Sequence, residues 1–137
     1  MIRIREIDHL VLRVVDLPKM LVFYTDVLGC IIERQQEEIG LTQLRAGSSL
    51  IDLITVDGKL GKMGGAAPGV EGRNVDHFCL RVDPFDEQAI RLHLVQHGVE
   101  AGPTVSRYGA EGEGPSIYIE DPEGNVVELK GAAVLRG

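Results

Sequence analysis

An eight-residue segment that occurs twice constrains this chain more than any other feature. Ile7-Asp8-His9-Leu10-Val11-Leu12-Arg13-Val14 returns 68 residues later as Val75-Asp76-His77-Phe78-Cys79-Leu80-Arg81-Val82. Asp, His, Leu, Arg and Val fall in the same places. A repeat of this period means one supersecondary unit used twice, so the fold must be built from two similar modules. Each copy alternates as a strand does and is rich in β-branched residues.

The segments after the two copies also correspond. Asp16 and Pro18 open a helix, the first as a capping side chain and the second as a ring whose missing N–H costs nothing in the first turn. Leu17, Leu21, Tyr24 and Leu28 mark one face of it, and Gly29 can end it in the left-handed conformation. In the second copy Asp83-Pro84 opens a helix, Ile90 and Leu94 share a face and Gly98 closes it. Short strand-like runs follow at 30–35, 41–46 and 49–55, then at 103–106, 116–120 and 125–130. The plan is β-α-β-β-β twice, as modules 5–57 and 74–131. Between them the glycine-rich stretch 58–73 reads as a plain connector or a mobile lid.

The repeat sets His9 and His77 at equivalent points of equivalent strands, which a pseudo-two-fold axis would bring together. Period-two geometry puts His9, Val11 and Arg13 on one face, and His77, Cys79 and Arg81 on one face. Each module ends in a strand with a carboxylate among apolar residues, Asp52 in the first and Glu128 in the second. An ionised carboxylate in such a strand is costly unless something pairs with it. A metal is one candidate partner for Glu128, and an arginine such as Arg13 or Arg81 is another. Imidazole plus carboxylate, with open positions left over, suits Zn²⁺, Ni²⁺, Mn²⁺, Co²⁺ or Fe²⁺. His93 and His97, four apart on the second helix, lack the glutamate of an H-E-x-x-H site and read as surface residues.

Composition narrows the partners. With 14 basic and 21 acidic residues the formal charge is −7, and no basic block exists to meet nucleic acid or an anionic membrane. No apolar run reaches the roughly 18 residues of a membrane span. Residues 1–6 hold no signal-peptide core, so the expected location is the cytosol, with Cys30 and Cys79 as buried thiols.

The D-H-x-x-L-R-V repeat, Asp16-Leu17 with Phe23-Tyr24 and Val27-Leu28-Gly29, and Asp121-Pro122-Glu123-Gly124-Asn125-Val126-Val127-Glu128-Leu129 together resemble the vicinal-oxygen-chelate superfamily, from residue 7 to residue 130. That superfamily includes glyoxalase I, fosfomycin-resistance enzymes, bleomycin-binding proteins and extradiol dioxygenases. The resemblance implies an α+β fold whose two βαβββ modules pair, within a chain or between chains, into an open, mostly antiparallel eight-stranded barrel around one divalent ion. His9, His77 and Glu128 fall on its recurrent metal ligands. Asp52 takes the place of a fourth, proton-shuttling carboxylate, one methylene shorter. Arg13 matches a glutathione-holding arginine, and Tyr118 the tyrosine of the dioxygenase signature, although the histidine expected before that tyrosine is absent. The implied activity is that of a metal-dependent lyase or isomerase of glyoxalase type, acting on a small substrate with vicinal oxygens through an enolate-like species. Glu128 and Asp52 are its catalytic carboxylates and Arg13 and Tyr118 its substrate contacts. An Fe or Mn extradiol-type dioxygenase and a non-catalytic small-molecule binder of bleomycin-resistance type stay open. The resemblance also implies a homodimer.

Overall fold

In a computed structural model, which describes residues 1–134, the chain divides into two compact units, Met1–Asn74 and Val75–Gly137. The first runs β1 (His9–Val14), α1 (Leu17–Val22), β2 (Ile31–Gln36), β3 (Leu41–Ala46) and β4 (Ser49–Thr55). Its sheet has the order β1-β4-β3-β2, with β1 parallel to β4 and the other pairs antiparallel. The parallel pair follows from the helical crossover after β1, since a hairpin can join only antiparallel neighbours. Strand alternation buries Leu12 and Val14 completely, and Met20, Tyr24, Leu44 and Leu53 join them in the core. Each such side chain contributes about 1.5–3 kcal/mol relative to exposure.

α1 starts where the sequence places it: the Asp16 carboxylate accepts from the Lys19 N–H at 3.1 Å, with Pro18 in the first turn. Its buried face differs from the expected Leu17, Leu21, Tyr24 and Leu28. Met20, Phe23 and Tyr24 are buried, while Leu17, Leu21 and Leu28 are only half-covered. For Leu28 the cause is a π-helical turn over Phe23–Val27, in which the Leu28 N–H reaches back five residues to the Phe23 carbonyl. The wider turn rotates everything downstream of it. Gly29 then ends the helix at φ 74°.

The second unit repeats the plan as β5 (Phe78–Arg81), α2 (Glu87–Gln96), β6 (Val105–Gly109), β7 (Gly112–Glu120) and β8 (Val126–Lys130). Its order, β5-β8-β7-β6, again has one parallel pair, β5 with β8. The class is α+β, with eight strands in two four-stranded mixed sheets among the described residues. α2 begins later than Asp83-Pro84, because Asp86 is the residue whose carboxylate caps it, accepting from the Ala89 N–H at 3.1 Å. Gly98 follows its end at φ 69°. No helix among the described residues is long and apolar enough to cross a membrane.

The glycine-rich run belongs to the first unit. It contains a short 3-10 turn, Gly61–Gly64, and the backbone bridge Gly69–Gly72. Gly61 passes so close to β4 that a Cβ there would stand 1.8 Å from the Thr55 carbonyl oxygen, which excludes every side chain.

Candidate functional site

Each unit presents its own polar cluster, built on the start of β1 and the middle of β4 or on the start of β5 and the middle of β8. In the first unit, His9 is half-exposed and its Nδ1 lies 2.8 Å from Asp8 Oδ1. That hydrogen bond is the largest cause raising the imidazole above its ordinary 6.5, and the charge of Asp52 adds to it. Asp52 is buried, and Gln43, its direct cross-strand partner, donates from Nε2 to Oδ1 and Oδ2 at 3.4 and 3.3 Å.

Arg13 is engaged elsewhere. Its guanidinium donates to the Gly61 carbonyl at 2.9 and 3.3 Å, to Gly65 at 2.7 Å and to Ala66 at 2.9 Å. Its backbone is paired as well: the Arg13 N–H donates to Asn74 Oδ1, and Asn74 Nδ2 donates back to the Arg13 carbonyl, both at 3.0 Å. Arg13 thus fastens residues 58–73 to the end of β1.

The second unit gathers more. His77 Nδ1 lies 2.6 Å from Asp76 Oδ2, and Nε2 lies 3.4 Å from Glu128 Oε1. Glu128 is 6% exposed, and its other oxygen accepts from the fully buried Ser116 hydroxyl at 2.8 Å. Ser116 in turn accepts from Arg107 Nη1 at 3.1 Å. The Arg107 guanidinium lies 4.4 Å from the centre of the Tyr118 ring, which meets the His77 ring edge-on at 5.4 Å. Tyr118 and Cys79 flank Glu128 across β7 and β5. Burial, then the Glu128 charge, raises the Tyr118 hydroxyl above its usual range. The same two causes, in the same order, push the Cys79 thiol up to about 11.

The position of Glu128 depends on the turn before it. Asp121 Oδ1 accepts from the N–H groups of Glu123 and Asn125 at 2.9 and 3.0 Å, and Asn125 Nδ2 donates to Oδ2 at 2.7 Å. This closed turn sets the register in which β8 pairs Glu128 with Tyr118.

Within the second unit, Arg81 is not the partner of Glu128 among the described residues. Arg81 pairs with Glu111 and donates to the Val82 carbonyl. Cys30 is buried as expected, but Cys79 is exposed, because period two sets it beside His77 and Arg81 on the open face of β5. The rings of His93 and His97 meet at a tilt of 55°, with centres 4.5 Å apart.

Both histidines direct Nδ1 at the aspartate just before them. A carboxylate there holds the proton on Nδ1 and leaves the Nε2 lone pair for another partner, as metal-ligating histidines require. The tandem Asp-His in both copies is the sequence signal for these two aspartates. Gln43, Ser116 and Arg107 carry no such signal, since only the strand register brings them to Asp52 and Glu128.

Donors about 2.1 Å from one ion at a tetrahedral angle stand about 3.4 Å apart. The His77 Nε2–Glu128 Oε1 separation of 3.4 Å has that value, and it exceeds the roughly 2.7–2.9 Å of a charge-assisted hydrogen bond. The donor chemistry therefore fits a divalent cation. Among the described residues no group of three or more His, Cys, Asp or Glu side chains is gathered closely enough to form a complete metal site.

Residues 6–129 match the family model of the Glyoxalase/Bleomycin resistance protein/Dioxygenase superfamily. The chain is 32% identical over 128 residues to the glyoxalase domain-containing protein RDO1 of Mycosarcoma maydis, covering 92% of this chain and 68% of that protein. It is 32% identical over 129 residues to the virulence protein STM3117 of Salmonella typhimurium, covering 92% and 83%. The crystal structure of that virulence protein superimposes with a TM-score of 0.77 at 28% identity, over 96% of this chain and all (100%) of the other. The V. Pseudocholerae structure VPC_CASS1, from the mobile metagenome, gives 0.77 at 27% identity over 98% and 99%. By repeat, fold and sequence, the chain belongs to the Glyoxalase/Bleomycin resistance protein/Dioxygenase superfamily.

Proposed function

We propose that the chain is a divalent-metal-dependent enzyme of glyoxalase type, a lyase or isomerase acting on a small substrate with vicinal oxygens. His77 and Glu128 are two of the ligands, and His9 is the third. The observation that carries this reading is the spacing of His77 Nε2 and Glu128 Oε1, 3.4 Å, on a carboxylate buried to 6% exposure. When bound, the ion would supply Lewis-acid polarisation of the substrate oxygens.

The chain's own groups do the rest. Asp76 and Asp8 hold the imidazoles in the tautomer that presents Nε2. Ser116 fixes Oε2 of Glu128, which orients Oε1 toward the reacting centre. Glu128, and Asp52 beside it in role, move the proton between neighbouring carbons. Tyr118, placed against the His77 ring, bounds the substrate on one side.

Metal content tests the reading. The native chain should hold about one Zn, Ni, Mn, Co or Fe, and His9→Ala, His77→Ala and Glu128→Gln should each lose it while keeping a native circular dichroism spectrum. Loss in the His9 variant as well as the other two is what a single ion per chain requires. A native chain that takes up none of the five ions refutes the metal-dependent reading and leaves small-molecule binding without catalysis.

A further inference from the structure

We infer that the molecule received at the Glu128 cluster carries an anionic group, a carboxylate or similar oxyanion, and that Arg107 is the side chain that holds it. The inference deepens the metal-dependent reading and rests on it for the neighbouring ion, whereas the contacts that hold Arg107 require none.

Arg13, Arg45, Arg81 and Arg91 are each closed by carbonyls, carboxylates or a hydroxyl of their own unit. Arg107 makes no salt bridge among the described residues. Nη1 alone is used, donating to the Ser116 hydroxyl and carbonyl at 3.1 and 3.3 Å. Those bonds, with the Tyr118 ring 4.4 Å below, fix the plane of the guanidinium. Its Nε and Nη2 edge is left for a guest, half-buried and a single hydroxyl away from Glu128. A planar fork of this kind matches an oxyanion with two parallel hydrogen bonds.

The local charge favours the same guest. Lys130, two residues beyond Glu128 on one face of β8, is 5% exposed and donates only to backbone carbonyls, Gly112 at 3.0 Å and Gly131 at 3.5 Å. Arg107, Lys130 and a divalent ion together outweigh Glu128, so an anion is the complementary ligand.

The test uses two hydroxamates of equal length, each able to chelate a metal through adjacent oxygens: the monohydroxamate of succinate, which ends in a carboxylate, and butyrohydroxamate, which ends in a methyl group. Calorimetric titration of the metal-loaded protein should show the carboxylated ligand binding about tenfold tighter or better. Arg107→Met should erase that preference, and Arg107→Lys should restore part of it. Butyrohydroxamate affinity should stay unchanged in both variants, which a merely structural role for Arg107 does not predict. Equal affinities in the native protein, or a preference that survives Arg107→Met, overturn the inference. If neither hydroxamate binds, the metal reading has failed instead. Inorganic phosphate titrated into the metal-free protein then decides the anion site: Arg107-dependent binding upholds it, and none overturns it.

Discussion

Removing the Ser116 hydroxyl should destabilise the protein by more than its size suggests. Ser116 is fully buried, donates to Glu128 Oε2 at 2.8 Å and accepts from Arg107 at 3.1 Å. Ser116→Ala takes a donor from a carboxylate that water barely reaches. A hydrogen bond to a charged group contributes about 1.5–3 kcal/mol net, and the void left by one oxygen atom adds little. We expect a loss of about 2 kcal/mol for metal-free protein at pH 7. With a urea m-value of about 2 kcal/mol/M, the unfolding midpoint drops by about 1 M at unchanged slope. Ser106→Ala is the control: that hydroxyl is exposed, meets Glu113 at 3.4 Å, and should change stability by less than about 0.5 kcal/mol. The double variant isolates the cause. If the Ser116–carboxylate bond carries the effect, Ser116→Ala should cost about 1 kcal/mol less in a Glu128→Gln background. A midpoint for Ser116→Ala equal to that of Ser106→Ala, or a cost independent of Glu128, would refute the reasoning.

Other consequences can be checked with simple assays. With its thiol pushed up to about 11, Cys79 of the metal-free protein should alkylate with iodoacetamide at pH 8 more slowly than a free cysteine by about tenfold or more despite its exposure, the smaller thiolate fraction being partly offset by the greater nucleophilicity of a more basic thiolate. Glu128→Gln should speed that reaction, and mass spectrometry assigns it to Cys79 rather than Cys30. By NMR in metal-free protein, His9 should titrate above 6.5, and Asp8→Asn should bring it down. Because the folded state raises that value, the stabilisation is complete below pH 6.5 and disappears as pH rises through the folded pKa; a stability that increases over this range in a comparison of native and Asp8→Asn protein contradicts the assignment. Arg13→Met removes four hydrogen bonds to the glycine-rich run, so limited proteolysis should cut between residues 58 and 73 in the variant first, and an unchanged cutting pattern would show that other contacts hold that segment.

The duplicated plan was legible because strand periodicity, caps and glycines all agree in it: β3 and β4 fall on the residues expected, and Asp16 caps α1 as its spacing predicts. The exceptions share a cause, which is competition that a single sequence cannot weigh. Asp83 and Asp86 can both open a helix, and only Asp86 does. α1 buries Met20 rather than Leu17 or Leu21, and a π-helical turn then displaces Leu28; nothing in the composition of Phe23–Val27 announces that turn. In the polar clusters, residue type pointed to His9, His77, Asp52 and Glu128, whereas their partners depend on register. A strand shifted by one residue would remove Gln43 from Asp52 and Tyr118 from Glu128.

The two copies have also diverged in a way that separates their chemistry. Asp52 occupies the place of Glu128, but its oxygens face an amide, Gln43, at 3.3–3.4 Å, and the side chain is one methylene shorter. Glu128 meets a hydroxyl at 2.8 Å on one oxygen and an imidazole at 3.4 Å on the other. The arginines of the repeat part in the same manner, with Arg13 fastening the glycine-rich run and Arg81 pairing with Glu111. The acid of the first copy is thus taken up by an amide of its own sheet, whereas the acid of the second stands beside an imidazole that can share an ion with it. Exchange of the acids tests that division. Asp52→Asn removes a charge that Gln43 already solvates, so metal retention should change by less than about threefold, whereas Glu128→Asp shortens the side chain by about 1.5 Å and should cost at least tenfold in metal affinity. Equal losses in the two variants would show that both carboxylates are ligands and that the copies remain equivalent.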